Sequence, residues 1–371
     1  MKNVLILGVM AIQMDAILTL KQLDCKVFAC AKAKDGPGAD CADEFIMQDF
    51  MNKEEIIRLI RNKKIDVVYS VGSDLAMPLI NEISEELNMV HFVSADTADI
   101  CNHKWRLRET LRNSQWNIPY QIFENIDNKI NVSFPAIIKP SDSSGQRGIH
   151  LINSRKEFEK YFYSVQGISR EKKVVLERYV EGTELSVNAY IVNGKVCFCL
   201  ASDRITWAQY TGLIHAHLIP SKHVNGDIAK KIENLVQETA RLLGINNGPV
   251  YYQIKLERGN PYVIEITPRH DGCHMWKLIK YATGIDLMKL TFEHLLFNNV
   301  SELEKERHEV KPYYLEFFCH KPNEIMVQEE FNIPDDSEES FFFYKTGDNI
   351  RSINGLYDKV GYYIKQGEYT E

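Results

Sequence analysis

The chain has 371 residues, 44% of them hydrophobic and 26% charged, and its formal net charge is −7 at pH 7. This length predicts about two to three domains with ample cores, and the negative charge disfavours nucleic acid and anionic membranes as partners. The eight cysteines contain no C-x-x-C pair, and no apolar run approaches membrane-spanning length. We therefore expect a cytoplasmic protein with reduced thiols.

Residues 1 to about 95 alternate between strand and helix patterns. Buried strands are predicted at residues 4–8, 26–31 and 66–70, with helices at 11–23, 54–61 and 76–87. This alternation is typical of a Rossmann-like, doubly wound α/β domain. The dinucleotide fingerprint G-x-G-x-x-G is incomplete, because only Gly8 and the small Ala11 remain. We interpret the domain as a scaffold whose strand-end loop at residues 71–74 could reach a substrate.

The next region places a lysine at a strand end, beside a loop rich in Ser and Gly. One helix is predicted from the caps Ser94 and Asp96 to about residue 112, and it contains Lys104. An apolar strand at 134–139 then ends in Lys139, and the loop follows at 140–148. Such a loop can turn backbone N–H groups toward an anion. A mobile hairpin tip is the alternative interpretation.

Residues 174–187 are predicted to form two strands joined by a hinge. Residues 203–213, which include Arg204, break the strand pattern and are expected to form a flexible substrate loop. His215 and His217 alternate along the following strand and could bind a metal. No third ligand at metal spacing accompanies them.

Residues 250–267 form two runs of alternating apolar and polar residues around Arg258-Gly259-Asn260, which predicts a β-hairpin. If Glu257 pairs with Pro261, Gln253 lies opposite Glu265 and Tyr251 opposite Thr267. The predicted core face then carries Val250, Tyr252, Ile254, Leu256, Tyr262, Ile264 and Ile266. The other face carries Gln253, Lys255, Glu265 and Thr267, with Arg269 just beyond. A hairpin with one solvated face is the simpler alternative.

Taken together, these segments resemble the ATP-grasp superfamily, particularly its carboxylate–amine ligases and carbamoyl-phosphate-synthase-like members. The resemblance rests on five motifs in order: N-H-K at 102–104, F-P-A-I-I-K-P at 134–140, L-E-R-Y-V-E-G-T-E-L-S-V at 176–187, V-I-E-I-T-P-R at 263–269 and A-T-G-I-D-L at 282–287. It implies an α/β and α+β fold. The expected domains are a Rossmann-like unit at 1–98, a two-lobed ATP-grasp domain at 99–305 with its lid at about 125–180, and a small mixed-β appendage at 306–371.

The resemblance also implies how ATP would be held. Lys104 and Lys139 would contact its phosphates, beneath a lid loop formed by Ser143, Ser144, Gly145 and Arg147. Glu177 would accept a hydrogen bond from the adenine amino group, and the backbone at Tyr179 and Val180 would read the ring edge. Glu184 would bind the ribose hydroxyls.

The metal and substrate residues follow from the same resemblance. Glu265 would bridge Mg²⁺, with Mn²⁺ as an alternative metal, and Arg269 would hold the substrate carboxylate or the acyl-phosphate oxygens. Arg204 and His270 would contribute to substrate binding. Two positions depart from the family pattern: Gln253 replaces an acid and Thr267 replaces an Asn. A Gln carbonyl can still bind a hard cation, but it removes one negative charge from the site.

The function implied is an ATP-dependent ligase that joins a carboxylate to an amine through an acyl phosphate and releases ADP. A bicarbonate-using enzyme is a second hypothesis, although the chain is too short for a duplicated synthase. A nucleotide-binding protein with weak catalysis is a third, suggested by Gln253 and Thr267. Small-molecule substrates and a possible homodimer are expected. A general base is not identified, and His270, Asp271 and His274 are candidates by proximity only.

Overall fold

The computed structural model describes residues 1–142, 147–305, 309–352 and 357–369. The first domain contains a parallel sheet in the order β3-β2-β1-β4. Its strands are β1 (Asn3–Leu7), β2 (Lys26–Ala31), β3 (Glu44–Met47) and β4 (Val67–Tyr69), and its helices are α1 (Ala11–Gln22), α2 (Gly38–Cys41), α3 (Lys53–Lys63) and α4 (Ala76–Glu86). Strands β1, β2 and β4 are almost entirely buried, as expected when helices cover both faces of a parallel sheet.

Two short helices, α5 (Ala95–Asn102) and α6 (Lys104–Thr110), connect this domain to the rest of the chain. The prediction of one continuous helix here is wrong, because His103 has an extended backbone that separates the two. The predicted cap is present, since the Ser94 side chain accepts a hydrogen bond from the Thr97 amide at 3.0 Å. The break places Lys104 at the start of its own helix.

A second sheet is antiparallel, in the order β5-β8-β6-β7, and packs against one helix. Its elements are β5 (Tyr120–Phe123), β6 (Ala136–Pro140), β7 (His150–Ile152), α7 (Arg155–Ile168) and β8 (Val174–Arg178). Phe123, Phe158 and Phe162 form a small aromatic core between the sheet and α7. This unit has its own core, which is what a lid that moves as a body requires.

The third sheet has eight strands, in the order β13-β12-β9-β10-β11-β14-β16-β15. They are β9 (Thr183–Val192), β10 (Lys195–Trp207), β11 (Tyr210–Ile219), β12 (Gly248–Glu257), β13 (Asn260–Thr267), β14 (Tyr313–His320), β15 (Glu339–Phe342) and β16 (Asp358–Gln366). Helices α8 (Gly226–Leu242), α9 (Met275–Thr283) and α10 (Leu287–Phe297) accompany it, with 3₁₀ turns at Ser301–Glu304 and Gln328–Glu330. The mixed α/β fold with one parallel and one large antiparallel sheet is as predicted.

One expectation about this sheet needs correction. Residues 203–213 do not form a loop, because β10 extends to Trp207 and pairs with β11 through a short turn. The C-terminal strands continue the large sheet, because β14 pairs with β11. The domain limits at 98 and 305 stay predictions.

The β12–β13 hairpin reaches the predicted register by a different route. Glu257 pairs with Asn260 instead of Pro261, and a β-bulge at Ile264 then restores Gln253 opposite Glu265 and Tyr251 opposite Thr267. The bulge changes the predicted core face, because Val263 is fully buried while Tyr262 and Ile264 are only partly buried.

Within the described residues, the helices fall short of the length and apolar character needed to cross a bilayer.

Candidate nucleotide and substrate site

Glu177, on β8, is the centre of a buried ion-pair cluster. Its two carboxylate oxygens accept from Arg108 Nε and Lys139 Nζ, each at 2.7 Å. The side chains of Arg108, Lys139 and Glu177 are 1%, 6% and 4% exposed. Both oxygens of Glu177 are thus engaged within the protein, and its role toward an adenine amino group stays a prediction.

Burial alone would raise the pKa of Glu177, but Arg108 and Lys139 outweigh it and hold that pKa at about 2. The pKa of Lys139 is lowered to about 8, chiefly by burial. The attraction of Glu177 opposes this shift, and the cations Arg108 and Lys104 add to it. Lys139 is therefore still mostly protonated at neutral pH. The Lys104 amide donates to the Ser141 carbonyl at 2.8 Å, which places the start of α6 beside the end of β6 that carries Lys139.

Arg108 joins this cluster to β13, the strand that carries Glu265. Its terminal nitrogens donate to the carbonyl oxygens of Val263 at 2.9 Å and Ile264 at 3.1 Å. These are the residues of the β13 bulge, whose carbonyl groups the neighbouring strand does not fully satisfy. One buried guanidinium thus ties the lysine-tipped strand β6, through Glu177, to the strand that carries Glu265.

A second set of contacts joins the predicted hinge between β8 and β9 to β12. Lys255 Nζ donates to the Val180 carbonyl at 3.2 Å and lies 4.7 Å from the centre of the Tyr179 ring. Arg178 pairs with Glu257 at 2.9 Å. The backbone segment expected to read the adenine edge is therefore held against β12.

Four predicted polar residues, one on each strand, share one face of β9, β10, β12 and β13. Gln253 Nε2 donates to Glu184 Oε1 at 2.6 Å, and Arg204 Nη1 binds the same oxygen at 2.9 Å. The Gln253 carbonyl oxygen is left as the remaining ligand atom of that side chain. Glu265 lies opposite Gln253 and makes no hydrogen bond or ion pair within the part of the chain described.

These residues fit a hard divalent cation. Glu265 offers a carboxylate and Gln253 a carbonyl oxygen, and the buried Thr267 hydroxyl oxygen has no partner among the described residues. Mg²⁺ prefers oxygen ligands and commonly binds one or two carboxylates together with substrate phosphates. Gln253, Glu265 and Thr267 therefore supply the right donor atoms with a low protein charge.

Arg269 lies just beyond this face and pairs with the N-terminal domain. Its Nε donates to Asp74 at 2.8 Å, its Nη2 binds the same carboxylate, and its Nη1 donates to the His270 carbonyl at 2.7 Å. A guanidinium has five N–H groups, so two are left for a ligand. Asp74 belongs to the strand-end loop expected to approach a substrate.

His270 is directed away from this cluster. Its Nε2 lies 2.8 Å from the Thr291 hydroxyl on α10, and burial lowers its pKa to about 3. A neutral ring packed in the core is poorly placed to bind substrate, and that role stays a prediction. His274 is also buried, with Nδ1 2.8 Å from Asp15.

Three residues of the predicted lid loop, Ser143, Ser144 and Gly145, lie outside the described residues. Arg147, at the end of that gap, is exposed.

Comparison with known proteins supports the family assignment. Residues 132–275 match the family model described as an ATP-grasp domain, and this range contains β6, the hinge and the whole β12–β13 hairpin. This segment of the chain is an ATP-grasp domain.

Solved structures share the ATP-grasp fold over almost the whole chain. The phosphoribosylglycinamide synthetase of Anaerococcus prevotii is 21% identical, with a TM-score of 0.81 over 99% of this chain and 94% of that one. The L-amino acid ligase of Bacillus licheniformis is also 21% identical, with a TM-score of 0.82 over 99% and 93%. The biotin carboxylase domain of the Hydrogenobacter thermophilus 2-oxoglutarate carboxylase, in complex with MgADP and bicarbonate, is 15% identical, with a TM-score of 0.79 over 99% and 86%.

The curated relatives are much longer than this chain. The carbamoyl phosphate synthase large chain of Clostridium botulinum (strain Kyoto / Type A2) is 22% identical over 236 residues, which is 62% of this chain and 22% of the relative. That of Methanocorpusculum labreanum is 23% identical over 275 residues, or 70% and 26%. The matched part is therefore about a quarter of those proteins.

The sequence does not indicate two residues that organise this candidate site. Arg108 lies in a polar helix pattern that gives no sign of burial, and Asp74 lies in the loop at residues 71–74. Neither spacing nor composition indicates that Asp74 pairs with a residue 195 positions away. Only the tertiary fold brings these charges together.

Proposed function

We propose that the protein is an ATP-dependent carboxylate–amine ligase that forms an acyl phosphate and releases ADP and phosphate. The observation that best supports this is the buried link from Lys139 through Glu177 and Arg108 to the bulge of β13. It joins a cation suited to phosphate to the strand bearing a carboxylate suited to Mg²⁺. Phosphoryl transfer depends mainly on such positioning and charge neutralisation.

Each residue would have a limited task. Lys139 and Lys104 would hold the phosphate oxygens, and Glu184 the ribose. Glu265, Gln253 and Thr267 would hold Mg²⁺, which when bound would neutralise charge on the β- and γ-phosphates. Arg269 would orient the carboxylate through its two remaining N–H groups, in the paired geometry that guanidinium and carboxylate favour.

The first experiment is a screen of carboxylate and amine pairs for ADP and phosphate release. Once a productive pair is found, Glu265→Ala and Arg269→Lys should each lower turnover by about 10² to 10³-fold, because each removes a charge-stabilising contact. Arg269→Lys is preferred to alanine, because it keeps a cation beside Asp74. Glu54→Ala, on the exposed face of α3, is the control and should behave as wild type.

Wild-type turnover in Glu265→Ala or Arg269→Lys would contradict the assignment. A loss of turnover counts only if the variant melts as cooperatively as the wild type and within a few degrees of it.

The bicarbonate hypothesis has one supporting observation, the shared fold with a carboxylase domain solved with MgADP and bicarbonate. ADP release stimulated by bicarbonate alone would favour it. The weak-catalysis hypothesis is supported by the use of the Gln253 amide on Glu184. Nucleotide binding without ADP release across the whole panel would favour that alternative.

A further inference from the structure

A buried group of three different ligand atoms lies near Arg269 but is not used in the proposed ligation. His217 is on β11, and Asp271 and Cys273 are in the loop between β13 and α9. Their ligand atoms all lie within 4.8 Å of one another, and the residues are 0%, 5% and 6% exposed. His217 Nε2 and Asp271 Oδ2 have no hydrogen-bond partner among the described residues. Leaving a buried polar atom unpaired costs about 1 to 3 kcal/mol, so two adjacent ones indicate that something binds between them.

The surroundings prepare His217 to be a ligand. Its Nδ1 lies 3.5 Å from the Ser202 hydroxyl, which itself donates to the Ser186 carbonyl. With its proton on the Ser186 carbonyl, the Ser202 oxygen accepts from Nδ1–H, and this tautomer leaves a lone pair on Nε2.

Cys273 has a matching outer partner. Lys359, on β16, places its ammonium 3.2 Å from the Cys273 sulfur. Burial raises the pKa of the Cys273 thiol to about 11, and the Lys359 ammonium opposes that rise. The thiolate that binds metals would therefore form as the metal displaces the thiol proton. Gly272 separates Asp271 from Cys273, so the loop supplies two ligands two residues apart.

We propose that His217, Asp271 and Cys273 bind one Zn²⁺ ion, at a site separate from the Mg²⁺ site on Glu265. A set of one nitrogen, one oxygen and one sulfur suits zinc, whereas Mg²⁺ takes oxygen ligands. Tetrahedral zinc places its ligand atoms about 3.3 to 3.8 Å apart, so closure from 4.8 Å requires side-chain movements of about 1 Å. Three protein ligands leave the fourth position open.

Charge selects at this site against cations that do not bind the thiolate. Arg204, Arg269 and Lys359 all act on Asp271, and they would repel a cation that binds neutral groups. Zn²⁺ with one thiolate and one carboxylate has no net charge, which removes that objection. A metal that cannot take up the thiolate would stay charged among these cations and should not bind.

The test measures metal directly and does not depend on ligase activity. Full-length protein is purified under reducing conditions, dialysed against metal-free buffer and measured by inductively coupled plasma mass spectrometry. We expect about one zinc per chain. Titration of the metal-free protein with Co²⁺ should give a thiolate-to-cobalt absorption band.

The chain supplies close controls for each ligand. His217→Ala and Cys273→Ala should lose the zinc. His215→Ala and Cys319→Ala should keep it, because His215 pairs instead with Glu316 at 3.4 Å and Cys319 lies outside the three-residue group. Ser202→Ala, which frees the outer nitrogen of His217, should weaken zinc binding about 10 to 100-fold.

Zinc well below one per chain, together with no thiolate band on Co²⁺ titration of the wild-type protein, would overturn the proposal. So would full zinc retention in both Cys273→Ala and His217→Ala. If either variant fails to fold, the cobalt band of the wild type and its presence in Cys319→Ala decide the matter. Because metal content is the readout, a failure here is distinct from a failure of the proposed ligation.

Discussion

Glu177 is almost completely removed from water and is stabilised there by two cations. A single unpaired charge at such a depth is expensive, whereas Arg108 and Lys139 together with the bulge carbonyls satisfy nearly every charged group in the cluster. The arrangement fixes the position of the Lys139 ammonium. We therefore interpret Glu177 first as the residue that positions Lys139, whatever it contributes to adenine binding.

Replacing Glu177 by Gln should lower the free energy of unfolding at pH 7 by about 3 to 5 kcal/mol, because two buried cations lose their counter-ion. The folded pKa of about 2 lies below the ordinary 4.5, so this stabilisation is present above pH 4.5 and is lost as the pH falls toward 2. The difference between wild type and variant should therefore narrow below pH 4.5. Urea unfolding at a series of pH values measures it.

Glu257→Gln is the matched control for that series. Its partner Arg178 is 25% exposed and Glu257 itself 21%, so the loss should stay below about 1 kcal/mol. An equally small effect at Glu177 would mean that the buried cluster contributes little.

A second prediction concerns the contact between Gln253 and Glu184. Gln253→Glu would place a carboxylate at hydrogen-bond distance from Glu184, where Gln253 now donates at 2.6 Å. Two charges about 4 Å apart near a protein surface repel by about 4 kcal/mol, and Arg204 offsets part of this. The variant should melt below wild type in EDTA and gain more from Mg²⁺, because a metal needs the charge that the variant adds.

Differential scanning fluorimetry with EDTA and with Mg²⁺ measures both effects. Gln253→Ala should show the smaller magnesium shift of a site that has lost a ligand. Equal shifts for wild type and Gln253→Glu would place the metal elsewhere.

The β12–β13 hairpin shows what sequence patterns can establish about an element. Alternation predicted which side chains of β12 face the site, and it placed Gln253 opposite Glu265 as observed. The alternation indicates neither the two-residue turn nor the bulge. Each shifts the pairing by one residue in opposite directions, so the pairing of Gln253 with Glu265 is still predicted correctly. A bulge at Ile264 has no local sequence signal, because it is stabilised from outside by Arg108. The face of Val263 could not be predicted for the same reason.

The strand extent of residues 203–213 was missed for a related reason. Arg204 and Trp207 interrupt an apolar pattern, so they resemble a loop. On the folded sheet Arg204 is a buried polar residue paired with Glu184, and Trp207 stacks on His215 with ring centres 3.8 Å apart. Polar residues inside a sheet are satisfied by partners from other strands, which a local pattern cannot show.

The turn of the same hairpin supports a stability prediction. Arg258 and Gly259 both have positive φ, 51° and 75°, as a type I′ turn requires. The turn at Asn193-Gly194 has nearly the same angles, 50° and 75°. Arg is a poor residue at positive φ and Asn a good one, so Arg258→Asn should raise the free energy of unfolding by about 0.5 to 1 kcal/mol.

Asn193→Arg is the reciprocal change and should lower that free energy by a similar amount. Urea unfolding of both variants checks the pair. If the two changes shift stability in the same direction, turn geometry does not control these hairpins.

At the scale of the whole molecule, the three predicted domains share one hydrophobic core. It includes Val4 and Tyr69 from the N-terminal sheet, Phe292 from α10, and Phe317 and Tyr362 from the C-terminal strands. The N-terminal domain also supplies Asp74 to Arg269, and β16 supplies Lys359 to Cys273. The sequence motifs mark where the chemistry lies, but they do not show that both ends of the chain help to build it.

This shared core predicts the outcome of removing the C-terminal strands. A chain of residues 1–311 would lose β14, β15 and β16, expose the edge of β11 and open the core around Phe292. Exposed strand edges and apolar surface promote aggregation, so the truncated chain should be insoluble or lack a cooperative melting transition. Co-expression of residues 312–371 should restore soluble protein, because the missing strands can pair with β11 in trans. Size-exclusion chromatography and circular dichroism measure both outcomes.

A truncated chain that is monomeric and melts cooperatively would show instead that the C-terminal strands are an independent addition. Lys359 would then be dispensable to the fold around Cys273.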